Sequence, residues 1–198
     1  MRILPISCAA MHQAVPPPVE PGARLSLRAL LRAGPVAKAV ARADLRLYRL
    51  IRAAARPPAL DVVGRFSHLG EHAALWLVIG TGGMVLDRRR RDRWRRATVA
   101  VGGTYALNTA IKGVFRRARP ALEDLPALIA TPTALSFPSA HASSSFAAAR
   151  AYSALVPAGP LYATAVAMAL SRVYLGVHYP TDIAAGALLG TITGSAGR

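Results

Sequence analysis

Five apolar segments follow one another along the chain, separated by charged or proline-containing turns. They cover residues 72–86, 97–112, 139–156, 160–175 and 181–197. Several are shorter than the about 20 residues that a helix needs to cross a bilayer, so we expect them to recruit flanking residues or to lie in a thinned bilayer. The pattern predicts an all-α fold: an integral membrane helical bundle of about five crossings with a basic amphipathic N-terminal region.

Two regions of different composition precede these segments. Residues 1–25 contain the proline-rich stretch AVPPPVEPGA, which predicts a disordered or stiffly extended tail. In residues 26–58, arginines recur among leucines and alanines, which is typical of amphipathic helices on an anionic membrane surface; a helix face exposed to water gives the same pattern. The sequence thus divides into a tail, a basic surface region and a membrane domain over residues 59–198.

The last apolar segment carries glycines at intervals of four, namely Gly186, Gly190 and Gly194. Small residues at this spacing let membrane helices approach one another closely. We therefore expect these glycines to serve packing and not catalysis.

Charge is concentrated outside the apolar segments. Of 25 basic residues, against 9 acidic ones, eleven lie in residues 1–70 and seven in residues 87–96. This distribution is typical of membrane loops. Aromatic residues make up only 6% of the chain, too few to interleave with the basic residues as stacking platforms, so we expect no nucleic-acid partner. The single cysteine, Cys8, allows no intramolecular disulfide.

Three polar patches lie at the ends of apolar segments. They read KGVFRRARP (112–120), FPSAHASSS (137–145) and SRVYLGVHYPTD (171–182). In an up-and-down bundle these ends fall on one face of the membrane, so the patches converge. Convergence brings together cations, two imidazoles, a serine hydroxyl, helix N-terminal amides and a carboxylate, which are ligands for an anion together with acid, base and nucleophile candidates.

Each patch alone has an ordinary explanation, as an interfacial anchor, a helix cap or a hydrogen-bonded histidine. Together they resemble the three signature motifs of the type 2 phosphatidic acid phosphatase family: Lys-x6-Arg-Pro, Pro-Ser-Gly-His and Ser-Arg-x5-His-x3-Asp. The resemblance covers roughly residues 60–197, and Ala140 departs from the usual glycine. The matching positions are Lys112, Arg119, Pro120, Pro138, Ser139, His141, Ser171, Arg172, His178 and Asp182.

The resemblance implies a phosphatase that removes a terminal phosphate from a membrane lipid phosphate through a phosphohistidine intermediate, without a metal or other cofactor. By the family pattern His178 is the nucleophile, Asp182 orients it, and His141 is the general acid and base. The phosphate ligands implied by the family pattern are Lys112, Arg119, Ser139, Ala140 and Arg172.

The lipid itself is left open by the resemblance. Members of the family act on phosphatidate, polyprenyl diphosphate or polyprenyl-phosphoryl sugar phosphate, and the short chain is, more weakly, similar to the decaprenylphosphoryl-5-phosphoribose phosphatases of cell-wall arabinan synthesis. We expect a protein integral to the cell membrane. The arginines of residues 87–96 favour a site on the outer face, whereas the basic N-terminal region favours a cytoplasmic one. The sequence does not indicate an oligomeric state.

Three alternatives follow from the same residues. The stretch HLGEH (68–72) matches a zinc-protease pattern with two histidine ligands and a glutamate base, although Gly70 weakens the helix it requires. A lipid-phosphate binding protein without turnover would need the cations but not an oriented nucleophile. Vanadium haloperoxidases share the motif set but are soluble, which the apolar segments disfavour.

Overall fold

The computed structural model describes residues 34–198. The predicted tail over residues 1–25 and the start of the basic region lie outside this range. The described chain is helical and carries only isolated β-bridges, which confirms the all-α prediction. Its α-helices are α1 (Pro35–Ala53), α2 (Pro57–His68), α3 (Ala74–Leu86), α4 (Arg91–Phe115), α5 (Ala140–Tyr152), α6 (Ala158–Tyr174) and α7 (Pro180–Gly194).

Helices α3 to α7 correspond one by one to the five apolar segments, and α1 lies inside the predicted basic region. The largest difference is at the start of α4. This helix begins at Arg91, so most of the arginine run that the sequence placed in a turn is helical. Arginine is a good helix former, and polar residues extend a helix as readily as apolar ones.

The length and hydropathy of the helices limit which of them could cross a bilayer. None of the helices among residues 34–198 is both long and apolar enough to cross alone, and only the pair Ala59–His68 and Glu71–Leu86, bent by 53°, meets the requirement as a unit.

Helix α5 lies at the centre of the bundle. Most of its side chains are small and buried, including Ala142, Ala147 and Ala148. The glycine face of α7 packs on it: a Cβ at Gly186 would lie 2.6 Å from the backbone oxygen of Ser139. Because a side chain at these positions would meet backbone, the predicted packing role of the glycines is confirmed.

Replacing Gly190 with alanine should destabilise the protein, because the added Cβ would collide with the backbone oxygen of Ser143. Overpacking of this kind costs about 1–3 kcal/mol. Gly102→Ala is the matched control, since nothing lies within 4 Å of its Cβ position on α4. Thermal unfolding in detergent should show a lower midpoint for Gly190→Ala and an unchanged or higher one for Gly102→Ala. Equal midpoints would contradict the close packing of α5 and α7.

Helix α1 packs against the loops that surround the site. Tyr48 is fully buried and donates from its hydroxyl to the carbonyl of Gly176 at 3.3 Å, while Arg52 donates to the carbonyl of Pro126 at 2.7 Å. Gly176 has φ of +78°, and a Cβ there would lie 2.9 Å from Arg52 Nε. The position therefore favours glycine for both conformation and space.

The chain breaks between α2 and α3. His72 and Ala73 adopt left-handed backbone with φ of +53° and +60°, so the HLGEH stretch is not a continuous helix. A zinc-protease site needs both histidines on one helical face, whereas α2 ends at His68, whose Nδ1 lies 3.3 Å from Glu71 Oε2. Over the described residues no cluster of three histidine, cysteine or acidic side chains is placed to hold a metal. The zinc-protease alternative is therefore wrong.

Candidate active site

A cavity of about 110 Å³ brings the three motifs together at one end of the bundle. Of the eight residues that the sequence proposed, two do not line it: Asp182 contacts His178 from α7, and Ser139 is the N-cap of α5. The six that line it are Lys112, Arg119, Ala140, His141, Arg172 and His178.

His178 lies in the loop between α6 and α7 and is almost completely buried. Its Nε2 lies 3.1 Å from Arg119 Nη1, and its Nδ1 lies 3.3 Å from Asp182 Oδ2. A guanidinium can only donate and a carboxylate can only accept. The contacts therefore place the proton on Nδ1. Nε2 is unprotonated and accepts the hydrogen bond from Arg119.

Asp182 is held in the first turn of α7. Its Oδ2 accepts from the backbone amide of Tyr179 at 2.9 Å and from His178, while its Oδ1 accepts from Arg117 Nη1 at 2.8 Å. The backbone contact follows from position, since a carboxylate three residues into a helix can reach back to the amide before it. Three donors thus fix both oxygens of this fully buried side chain.

His141 lies in the first turn of α5. Its Nε2 donates to the carbonyl of Ser67 at 3.1 Å, because a carbonyl can only accept. Close approach of the α2–α3 connection makes this contact possible: a Cβ at Gly70 would lie 2.7 Å from His141 Cδ2. The edge of the ring that carries Nε2 therefore packs against this connection, which leaves Nδ1 on the opposite edge.

Ser139 caps α5. Its Oγ accepts from the amide of Ala142 at 3.4 Å, and its own amide donates to the carbonyl of Asp182 at 3.0 Å. Capping uses the oxygen of the hydroxyl and leaves its proton to donate. A phosphate contact from Ser139 stays a prediction, as does one from the amide of Ala140, which begins α5 beside the cavity.

Three cations surround the cavity. Lys112 donates to the carbonyl of Leu135 at 3.1 Å, and Arg119 donates from Nε to the carbonyl of Thr133 at 2.8 Å. Arg172 donates from Nη1 to Ser67 Oγ at 2.6 Å, and its buried Nε has no partner.

Within residues 34–198 none of these three cations forms an ion pair with a carboxylate. Buried cations are costly unless an anion compensates them. The arrangement is therefore suited to hold a multiply charged anion such as phosphate.

These charges also act on His178. Burial, and then the charges of Arg119, Lys112 and Arg172, lower the pKa of its imidazole well below the usual value. Burial lowers the pKa of Arg119 to about 10, so this guanidinium is still charged at neutral pH. His178 is therefore neutral at neutral pH, which is the form that can act as a nucleophile.

Three residues of the site were not predicted from the sequence. Ser67 binds both His141 and Arg172, while Arg117 and Asp44 stand behind Asp182. Arg117 occupies an unspecified position of the first motif, so the family resemblance gives it no role. Asp44 offered one signal, since it is the single acidic residue of α1, whose other charged residues are all basic.

Comparison with known proteins points to the same family as the sequence motifs. A model of the PAP2 superfamily matches residues 93–197. Decaprenylphosphoryl-5-phosphoribose phosphatase of Mycolicibacterium smegmatis is 42% identical over 135 residues, which cover 67% of this chain and 74% of that protein. The protein of the same name from Mycobacterium tuberculosis is 39% identical over 140 residues, covering 71% of this chain and 79% of the relative.

Two crystal structures have a similar fold. Aquifex aeolicus LpxE superimposes with a TM-score of 0.68 at 28% identity, covering 77% of this chain and 93% of that chain. A transmembrane PAP2-type phosphatidylglycerolphosphate phosphatase from Bacillus subtilis gives a TM-score of 0.62 at 27% identity, covering 78% and 82%. The family resemblance that the motifs indicated is confirmed: the chain belongs to the PAP2 superfamily and, like these relatives, is a phosphatase.

Proposed function

We propose that this protein is a metal-independent phosphatase that removes the terminal phosphate from a membrane lipid phosphate through a phosphohistidine intermediate. The observation that carries the proposal is the environment of His178. Its unprotonated Nε2 faces Arg119, its Nδ1 proton is held by Asp182, and unpaired cations surround the cavity beside it. A binding protein would need the cations but not the oriented imidazole.

The cations bind the phosphate group of the substrate before the chemical steps. The phosphoryl oxygens take hydrogen bonds from Lys112, Arg119 and Arg172, with Ser139 and the first amide of α5 as further donors. Arg119 then exchanges its contact with His178 Nε2 for the phosphate, which frees the nucleophilic lone pair. Because these donors are already in place, they stabilise charge as it develops in the transition state.

In the first step His178 Nε2 forms a bond to phosphorus while the bond between phosphorus and the lipid oxygen breaks. The developing positive charge on the ring is stabilised by Asp182. The negative charge of the bound phosphate favours the protonated form of His141, from which the departing alkoxide takes a proton. Since Nε2 of His141 is bound to Ser67, the transferred proton comes from Nδ1.

In the second step water attacks the phosphohistidine. His141, now neutral, removes a proton from the water through the same Nδ1. The oxygen of the water bonds to phosphorus as the bond from phosphorus to His178 breaks, which releases inorganic phosphate and restores the neutral nucleophile.

For the substrate we propose a polyprenyl-phosphoryl sugar phosphate, with polyprenyl diphosphate and phosphatidate as the other candidates. Two observations support this choice. The curated relatives carry the name decaprenylphosphoryl-5-phosphoribose phosphatase. The cavity is also lined by side chains suited to bind hydroxyl groups, namely Glu71, His72, Tyr105, Thr109 and Thr133.

We further propose that helices α3 to α7 are embedded in the cell membrane and that α1 lies on its anionic surface. Large apolar side chains are exposed on several helices, including Val78 on α3 (70%), Leu86 at its end (87%) and Val99 on α4 (68%). Such exposure is typical of surfaces covered by lipid or another protein. The similarity to a transmembrane phosphatase supports the same location.

Phosphate release by detergent-purified protein tests the proposed function. Mixed micelles should contain, one at a time, a polyprenyl-phosphoryl sugar phosphate, a polyprenyl diphosphate and phosphatidate. We expect release from at least one lipid, fastest with the sugar phosphate, and full activity in EDTA because the cations replace a metal. Vanadate should inhibit as a mimic of the phosphoryl transition state. Loss of turnover in EDTA with recovery on adding zinc or magnesium would contradict the proposal.

A further inference from the structure

Arg117 lies between two buried carboxylates. Its Nη2 donates to Asp44 Oδ2 and its Nη1 to Asp182 Oδ1, each at 2.8 Å. The guanidinium also stacks over the ring of Tyr179, with its carbon 4.3 Å from the ring centroid. A planar fork of donors suits such a bridge, because two carboxylates can be bound from two nitrogens at once. The side chain is not part of the cavity wall and needs no phosphate to complete its contacts.

Asp44 ties this bridge to α7. Its Oδ1 accepts from the backbone amide of Thr181 at 2.9 Å and its Oδ2 from the hydroxyl of Thr181 at 2.7 Å. Thr181 lies in the first turn of α7, directly before Asp182. A carboxylate at the N-terminus of a helix satisfies its free amides and fixes its start. Helix α1 is therefore connected through one carboxylate to the helix that carries Asp182 in its first turn.

We propose that Arg117 and Asp44 are positioning residues that fix the carboxylate of Asp182 and, through it, the orientation and proton affinity of the His178 nucleophile. This inference rests on the proposed function. Arg117 occupies Oδ1 of Asp182, so that only Oδ2 is directed at His178 Nδ1. Without Arg117 the carboxylate loses one of its three donors and can rotate away from the imidazole.

The two positioning residues act on His178 with opposite sign. Arg117 offsets part of the negative charge of Asp182, and Asp44 offsets part of the positive charge of Arg117. Further charged or titratable groups lie around His178: Lys112 from α4, Arg119 from the following loop, His141 from α5 and Arg172 from α6, with Glu71 and His72 lining the same cavity from the α2–α3 connection. These groups are the same in every variant below, so a change in titration between variants reports the bridge.

The pH dependence of kcat/KM for one lipid phosphate tests the proposal. The acid limb of this profile includes the protonation of His178 in the free enzyme. In Arg117→Gln the uncompensated Asp182 should favour the protonated imidazole, so the limb should move to higher pH. In Asp44→Asn the uncompensated Arg117 should disfavour it, so the limb should move to lower pH. The substrate contributes the same ionisation to each profile and cancels in the comparison.

Turnover gives a second readout. In Arg117→Gln we expect kcat to fall by about 10-fold or more, because the orientation of His178 is lost; losses of this size are found for groups that orient a ligand from outside. KM should change little, because neither Arg117 nor Asp44 touches the phosphate. Arg117→Lys keeps the charge and should leave the acid limb near its wild-type position. Its kcat should still fall, because one ammonium group cannot reproduce the two-nitrogen bridge.

Arg49→Gln is the matched control. It removes one positive charge from the surface of α1, where Arg49 pairs with Asp124 and its side chain is 52% exposed. Both its pH profile and its kcat should equal those of the wild type. Thermal unfolding shows whether each variant is folded. If Arg117→Gln does not fold, Asp44→Asn and Arg117→Lys still test the proposal.

The two hypotheses fail differently. If the wild type releases phosphate but His178→Ala does so equally well, the proposed function is wrong. If the reaction depends on His178 and the acid limbs of Arg117→Gln and Asp44→Asn both coincide with that of the wild type, the positioning proposal alone is wrong. Equal shifts of both limbs in the same direction would also overturn it.

Discussion

His178→Ala should lose phosphate release by at least about 10⁴-fold on every substrate, because removal of the nucleophile removes the covalent route. No acid-labile phosphoenzyme should form from radiolabelled substrate. His68→Ala is the matched control: its side chain is 76% exposed, and it should retain full activity. A labelled intermediate in His178→Ala would contradict the assignment.

His141→Ala should instead separate substrates by their leaving group. An alkyl phosphate departs as a poor alkoxide and needs the acid, whereas p-nitrophenyl phosphate departs with little protonation. Phosphoenzyme formation from the lipid should fall by about 10²–10⁴-fold, the usual contribution of general acid catalysis. On the aryl ester a burst should remain and the phosphoenzyme should accumulate, because water activation also needs His141. Equal losses on both substrates would rule out its role as the acid.

Arg172→Lys and Arg119→Lys should each lower kcat/KM for phosphate release, although the charge is kept. Arg172 uses Nη1 for Ser67 and has a buried, unpartnered Nε, so one guanidinium can anchor itself and still donate to phosphate. An ammonium group cannot do both with the same geometry. We expect a loss of about 10²–10³-fold, the cost of one lost donor to a transition-state oxygen.

Arg150→Lys provides the control for this pair. Arg150 lies in the last turn of α5, whereas His141 lies in the first, and it donates to Ser195 Oγ at 3.0 Å. Its replacement should leave kcat/KM unchanged. Near-normal kcat/KM in both Arg119→Lys and Arg172→Lys would reduce these side chains to interfacial anchors.

The helices and the grouping of the motifs were predictable from the sequence because each depends on local order along the chain. Apolar segments fix where α3 to α7 lie, and an up-and-down arrangement of such helices puts alternate ends on one face. Lys112, His141 and Arg172 stand at such ends and line one cavity. Glycines spaced by four on α7 predicted its close contact with α5 for the same reason.

Other features were not predictable because they depend on segments that are distant in sequence. Asp44 and Asp182 are bridged across more than a hundred residues by Arg117, whose position in the first motif specifies no residue type. The left-handed backbone at Ala73 belongs to a residue type that rarely adopts it, so the sequence marks the break between α2 and α3 only through the weak helix former Gly70. Only tertiary packing defines both features.

Ser67 serves two neighbours through chemically different groups: its main-chain carbonyl binds His141, whereas its side-chain hydroxyl binds Arg172. A carbonyl is present whatever amino acid occupies the position, but the hydroxyl is specific to serine and threonine. Ser67 is fully buried, so only a small replacement fits at this position. Ser67→Ala would therefore remove the contact with the guanidinium of Arg172 while the carbonyl still holds the imidazole of His141, so that one substitution separates the two contacts.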